Sequence, residues 1–393
     1  MKTRFVSLAL FGALATMTVS SGGVLAGVRM ESGVSKSIKD GRAVLTPFHR
    51  IVRDNTTALA RSDKAGVALS LPLWQGSFVD KTPATRNFTM VGTDPATHNS
   101  TTTIPVVIVP LKVQFYFYFE RKFDPGRDVV ANTGGINFVQ TVLNSPLFRS
   151  VVDFKSGDKN LGRTQYLDAF QRGNFWKSVV TTNPQYHIML GSPTVLPSQL
   201  VRFPGKYESG VWTMGTANVG LVDGDYLDSQ IRSIMTRLTQ INPSVLPIFL
   251  TDNILVRTSR DGNCCIGGWH GSIGSQTYIY AGFVDDTSGS SFGSSTTSLG
   301  HELAEWLDDP FNDNNVNCTD VGALEVGDPL NFSIYEFPVG GYTYRLQSLA
   351  YLPYFGAPRS TSANGWYSLN GSHAQNPNSN DSVTEICPGP QRR

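Results

Sequence analysis

The stretch Ser295–Pro310 reads STTSLGHELAEWLDDP and contains the string His301-Glu302-Leu303-Ala304-Glu305 after a Ser/Thr-rich approach. Ser298 offers a helix N-cap, and Glu302 falls near the first turn, where acidic side chains favour the helix dipole. Positions 301 and 305 are separated by one turn plus roughly 40°, so both side chains leave the same helix face. Leu303, Ala304 and Leu307 then fall towards an apolar side, and Asp308-Asp309-Pro310 ends the helix. An imidazole and a carboxylate one turn apart can both bind a divalent metal, with Glu302 pointing beside them. The competing reading is an ordinary helix with a solvated polar face.

The string resembles the active-site helix of zincin metallopeptidases, HExxH, in which two His bind zinc and the Glu is the general base. Here Glu305 stands where the second His belongs. Downstream, Glu325-Val326-Gly327-Asp328 is similar to the gluzincin arrangement, whose third ligand is a Glu on a later helix, supported by a nearby Asp. The resemblance covers about thirty residues. It implies His301, Glu305 and Glu325 as zinc ligands, Glu302 as the base and Asp328 as support for a ligand His. A ligand set with two carboxylates carries more negative charge than one with two His, so it makes the metal a weaker Lewis acid. A fainter likeness, in HELAE and the Gly/His-rich approach to it, is to secreted proteins of the plant phosphate-induced (exordium-like) type and their bacterial relatives.

Outward from this stretch, the first residues read as a secretory leader. Lys2 and Arg4 precede the apolar run Phe5–Met17, and Val24-Leu25-Ala26 supplies small residues for cleavage before Gly27. A secreted or periplasmic protein is expected, with residues 1–26 removed. No later stretch approaches the ~20 apolar residues of a membrane-spanning helix. The net charge is +1 and charged residues are 16% of the chain, well under the ~25% of an ordinary soluble domain. No basic run or basic helix appears, so nucleic acid is not an expected partner.

Four cysteines, Cys264, Cys265, Cys318 and Cys387, lie in the last third. In an oxidising compartment they imply two disulfides. Adjacent cysteines rarely bond each other, so Cys264 and Cys265 are expected to reach separately to Cys318 and Cys387. The alternative is a metal site built from Cys264, Cys265 and His270.

Residues 27–100 carry weak signals and read as an N-terminal arm or pro-segment. Residues 101–393 read as one zincin-like α+β domain. Ile104–Phe119, IPVVIVPLKVQFYFYF, is the strongest strand signal, with Pro110 marking a break between two strands. Leu147–Phe154 reads as a short helical turn and Tyr166–Trp176 as a helix. Asp225–Thr239 has a helical apolar period, and Leu246–Val256 is a buried strand. Ile266–Ser275, IGGWHGSIGS, reads as a glycine-rich loop whose His270 is either a satisfied loop histidine or a group on the substrate side. Gln276–Val284 is a strand, and within it Tyr278–Phe283 is expected, from the zincin resemblance, to flank the cleft and accept substrate as an added strand. Phe311–Asn317, FNDNNVN, reads as a solvated turn, with a calcium loop as the alternative.

The expected fold is α+β, loop-rich, with a mixed β-sheet and a metal-bearing helix packed against it. The expected function is a secreted zinc-dependent peptidase acting on peptide or protein substrates, with Glu302 as general base. A non-catalytic secreted binding protein that keeps a structural metal helix is the alternative. A carbohydrate-binding surface using Trp366 and Tyr367 is a third reading.

Overall fold

A computed structural model describes residues 52–54, 70–80, 83–116, 121–257, 264–288, 294–316, 323–330 and 333–371. The expected secretory leader at residues 1–26, most of residues 27–69, Cys318 and Cys387 lie outside the described residues.

The fold is α+β, built on an eight-stranded mixed sheet. Its path runs from Val52–Asp54 through Gly268–Ile273, Gln276–Phe283, Leu246–Asp252 and Val106–Phe115 to Thr194–Val195. The three central strands Gln276–Phe283, Leu246–Asp252 and Val106–Phe115 are mutually parallel. Gly268–Ile273 pairs antiparallel with Gln276–Phe283. Beyond Val106–Phe115, Gln199–Phe203 pairs parallel to its second half. Leu246–Asp252 and Gln276–Phe283 are buried at every position, as expected of interior parallel strands covered on both faces.

Side-chain alternation along these strands divides the core in two. Val106, Ile108, Leu246, Ile248, Leu250, Ile279, Ala281 and Phe283 face one way. Val107, Val109, Leu111, Phe249, Tyr278 and Tyr280 face the other. The helix Gly224–Arg237, capped by Asp223, covers the second face with Leu227, Ile231, Ile234 and Met235. The helix Thr297–Asp308 covers the first with Leu299, Leu303, Ala304, Trp306 and Leu307. The architecture is thus α+β, with the Thr297–Asp308 helix packed on one face of a mixed sheet.

Several local expectations are corrected. The first strand does not break at Pro110. It runs unbroken over Val106–Phe115, with Pro110 opposite Leu250, and the separation from Thr101–Ile104 falls at Pro105. Leu147–Phe154 is a turn leading into the strand Val152–Ser156 rather than a helical turn. Gly268–Ile273 is a strand, not a loop. The hairpin Leu73–Val79/Thr85–Val91 places Phe78, Phe88 and Met90 in the main core, with its Thr85–Val91 strand against the Thr297–Asp308 helix. Residue 100 therefore does not mark an edge of the core.

Candidate metal centre

The Thr297–Asp308 helix is buried along its whole length. His301 is 4% exposed, Glu302 2% and Glu305 0%, so the solvated-face reading fails. The N-cap is Thr296 rather than Ser298, without a side-chain capping bond. The Thr296 hydroxyl instead donates to the carbonyl of Arg345, tying the helix start to the Tyr342–Gln347 strand, and the Thr297 hydroxyl donates to the Ser294 carbonyl. At the other end, Trp306 Nε1 donates to Thr277 Oγ1 at 2.9 Å. Between these anchors the helix lies close on the sheet because Gly268 has no side chain. A Cβ there would fall 2.7 Å from Glu302 Cγ.

His301 and Glu305 meet as the helix period requires, with Nε2 3.0 Å from Glu305 Oε1. Asp328 Oδ1 stands 3.6 Å from the same nitrogen. One donor atom from each of His301, Glu305 and Asp328 lies within 4.8 Å of the others, and a second such group joins Glu305 to His270 and Glu302. Among the described residues, neither group includes Glu325.

The segment carrying Glu325 and Asp328 is held by the helix itself. Asp309 accepts the backbone N–H groups of Asp313, Asn314 and Leu324. Glu305 Oε1 accepts the N–H of Gly327 at 3.2 Å.

The orientation of His301 follows from its neighbours. Gln347 Nε2 donates to the Gly327 carbonyl at 2.8 Å, which turns Gln347 Oε1 towards His301 Nδ1 at 3.4 Å. An amide oxygen only accepts, so Nδ1 carries the proton, and in the neutral ring Nε2 offers a lone pair to the Glu305/Asp328 side. His270 is set the opposite way round. Its Nε2 lies 3.1 Å from the Asp309 carbonyl and must donate to it, so in the neutral ring Nδ1 presents its lone pair towards Glu302. Both rings have the arrangement of metal-binding imidazoles, with one nitrogen fixed by an outer acceptor and the other turned inward.

The electrostatics describe a cradle short of positive charge. Burial opposes a proton on His301, but Glu305, Glu302 and Asp328 outweigh it and hold the imidazole up at about 10. Burial also pushes Glu302 well above the carboxylate range, with Glu305 and Asp328 adding to the rise and His301 opposing it. Glu325 is displaced the same way, first by burial and then by Glu305, Asp309, Asp328 and Glu302. Buried carboxyls gathered this closely persist only by holding protons or sharing a cation. Glu302 Oε2 is a buried oxygen without a hydrogen-bond partner. The donor set of imidazole and carboxylate therefore fits a borderline divalent ion such as zinc.

The resemblance-based assignments land unevenly. His301, Glu302 and Glu305 converge. Asp328 lies on the Nε2 side of His301 and Gln347 on the Nδ1 side. Glu325 is buried beside Glu305 and Asp309. Tyr278–Phe283 cannot accept an added strand, because its strand is paired on both sides. Within FNDNNVN, Asn314 bonds both backbone groups of Thr89 and the Asp308 carbonyl, a structural brace rather than a solvated turn. Trp366 and Tyr367 are 8% and 2% exposed and form no open platform. Cys265 is buried in a disulfide, which removes the cysteine metal site, while the side chain of Cys264 lies outside the described residues.

His270, read from the sequence as a loop histidine, lies on a strand and belongs to the second donor group. The missed signal is Gly274-Ser275, a two-residue connection with Gly274 at φ 58° between IGGWHGSI and QTYIYAGF. That pattern is a hairpin signature, and it would have placed His270 on a strand, though not beside any particular helix. Gln347 had no local signal at all.

No protein-family model matches the chain, and neither does any curated protein or solved structure.

Proposed function

We propose that the protein is a secreted zinc-dependent peptidase whose metal is held by His301, Glu305 and Asp328. The observation that carries this reading is the convergence of those three donors to within 4.8 Å, two of them buried and Asp328 half-buried. Asp328 takes the third place in preference to Glu325, because it faces the inward nitrogen of His301 at 3.6 Å. The leader at residues 1–26 supports export.

A bound divalent ion supplies Lewis-acid polarisation of a carbonyl and acidifies water. The chain's own residues do the rest. Glu302, on the same helix, takes the proton of the attacking water and returns it to the leaving amine, so it finishes each cycle as it began. Gln347 and the Gly327 carbonyl fix the His301 ring, and Asp309 fixes the segment that brings Asp328 to it.

The test is Glu302→Gln assayed against a broad peptide mixture, with zinc content measured on the same samples. Turnover should fall by about 10²–10⁴-fold, the usual contribution of a general base, with the tightest zinc equivalent retained. Undiminished cleavage, or loss of that zinc, would overturn the assignment.

A further inference from the structure

We propose that the cluster holds a second divalent cation between His270 Nδ1, Glu302 Oε2 and Glu305, and that its entry silences Glu302. The inference rests on the reading above, because Glu305 belongs to both donor groups.

Three observations converge on this position. The donors of His270, Glu302 and Glu305 lie within 4.8 Å of one another, and all three residues are buried. His270 comes from the strand Gly268–Ile273, while the two acids come from the helix, so the group spans two elements rather than one acidic run. The separation of His270 Nδ1 from Glu302 Oε2 is 3.5 Å, at the outer limit for a hydrogen bond. It is close to what two donors on one ion require: bonds of about 2.0–2.1 Å at a tetrahedral angle leave their donors about 3.3 Å apart.

The chemistry of each donor agrees. The Asp309 carbonyl takes the Nε2 proton of His270, which leaves Nδ1 as a lone-pair donor aimed at Glu302. Glu302 Oε2 is buried with no hydrogen-bond partner, a costly state unless the site receives a proton or a cation. A carboxylate has two oxygens, so Glu305 can serve two neighbouring ions. Imidazole among the donors favours zinc over calcium or magnesium.

The functional consequence follows from Glu302. With Oε2 committed to an ion, the carboxylate no longer accepts the water proton. The first equivalent of zinc therefore supports turnover and the second suppresses it.

The experiment is a zinc titration of chelator-stripped mature protein, with bound metal counted by equilibrium dialysis and peptide cleavage followed in parallel. Wild type should take up two equivalents, with turnover rising over the first and falling at least ten-fold over the second. His270→Gln should stop at one equivalent. A wild type that saturates at one equivalent and still cleaves would overturn the second site and leave the first standing. No bound zinc would overturn both. Two equivalents in His270→Gln, or full turnover with two bound, would also contradict the proposal. Should His270→Gln fail to fold, the wild-type stoichiometry decides by itself.

Discussion

Gly327 lies so close to the imidazole of His301 that a Cβ on it would fall 2.6 Å from Nδ1 and 2.8 Å from Cε1. The missing side chain lets the segment carrying Asp328 close over the ring, while the Gly327 N–H bonds Glu305 and its carbonyl bonds Gln347. The backbone of Gly327 does not have a positive φ, so alanine meets only the ring and no conformational barrier. Gly327→Ala should keep the fold by circular dichroism and lower zinc affinity at least ten-fold. Unaltered affinity would show that the approach of this segment does not shape the site.

Gln347 holds the His301 ring through Nδ1, so under the proposed function its removal should be felt in metal affinity. Replacing it with Leu removes the acceptor on Nδ1 and frees the ring to turn or change tautomer. Outer partners of ligand histidines typically contribute 10–100-fold in metal affinity, and Gln347→Leu should lose that much in a competition assay with a fluorescent chelator. A loss under two-fold would place Gln347 outside the site.

How much of this was legible in the sequence depends on the range of each interaction. The helix face joining His301 to Glu305 follows from a period of 3.6, and the buried strands at Leu246–Asp252 and Gln276–Phe283 follow from their apolar runs. The sheet order, with Gly268–Ile273 beside the site helix, depends on tertiary pairing that no local pattern records. Gln347 lies 46 positions from His301 in an ordinary aromatic strand, so nothing nearby marks it. Asp328 and Glu325 are three residues apart, and which one faces His301 depends on how Gly327 bends the chain.

Asp308 should make stability fall as pH rises. It is fully buried and accepts the Gln171 amide. Burial pushes its carboxyl up to about 8, with the Gln171 bond opposing and Asp309 adding. An unfolded Asp titrates near 3.9, so the folded state binds the extra proton between these values. The resulting stability is complete below about pH 4 and is lost as pH rises through about 8, at no more than about 1.4 kcal/mol per pH unit. In metal-free samples, Asp308→Asn should gain on wild type in urea midpoint between pH 5 and pH 8. Parallel midpoints across that range would contradict the shift.

Cys265 is disulfide-bonded, and none of the described cysteines is free. For an exported chain with four cysteines, two disulfides are the expected state. Titration of the denatured, unreduced protein should find about zero free thiols. Finding two would mean that only one bridge forms, and finding four would argue against an oxidising compartment.

The most direct measurement is anomalous diffraction at the zinc edge from crystals of the zinc-loaded mature protein. A peak is expected about 2.0–2.2 Å from His301 Nε2 and from one carboxylate oxygen each of Glu305 and Asp328, the bond lengths zinc takes with such donors. A cradle without an anomalous peak, or a peak bound through Glu325 with Asp328 turned away, would contradict the assignment.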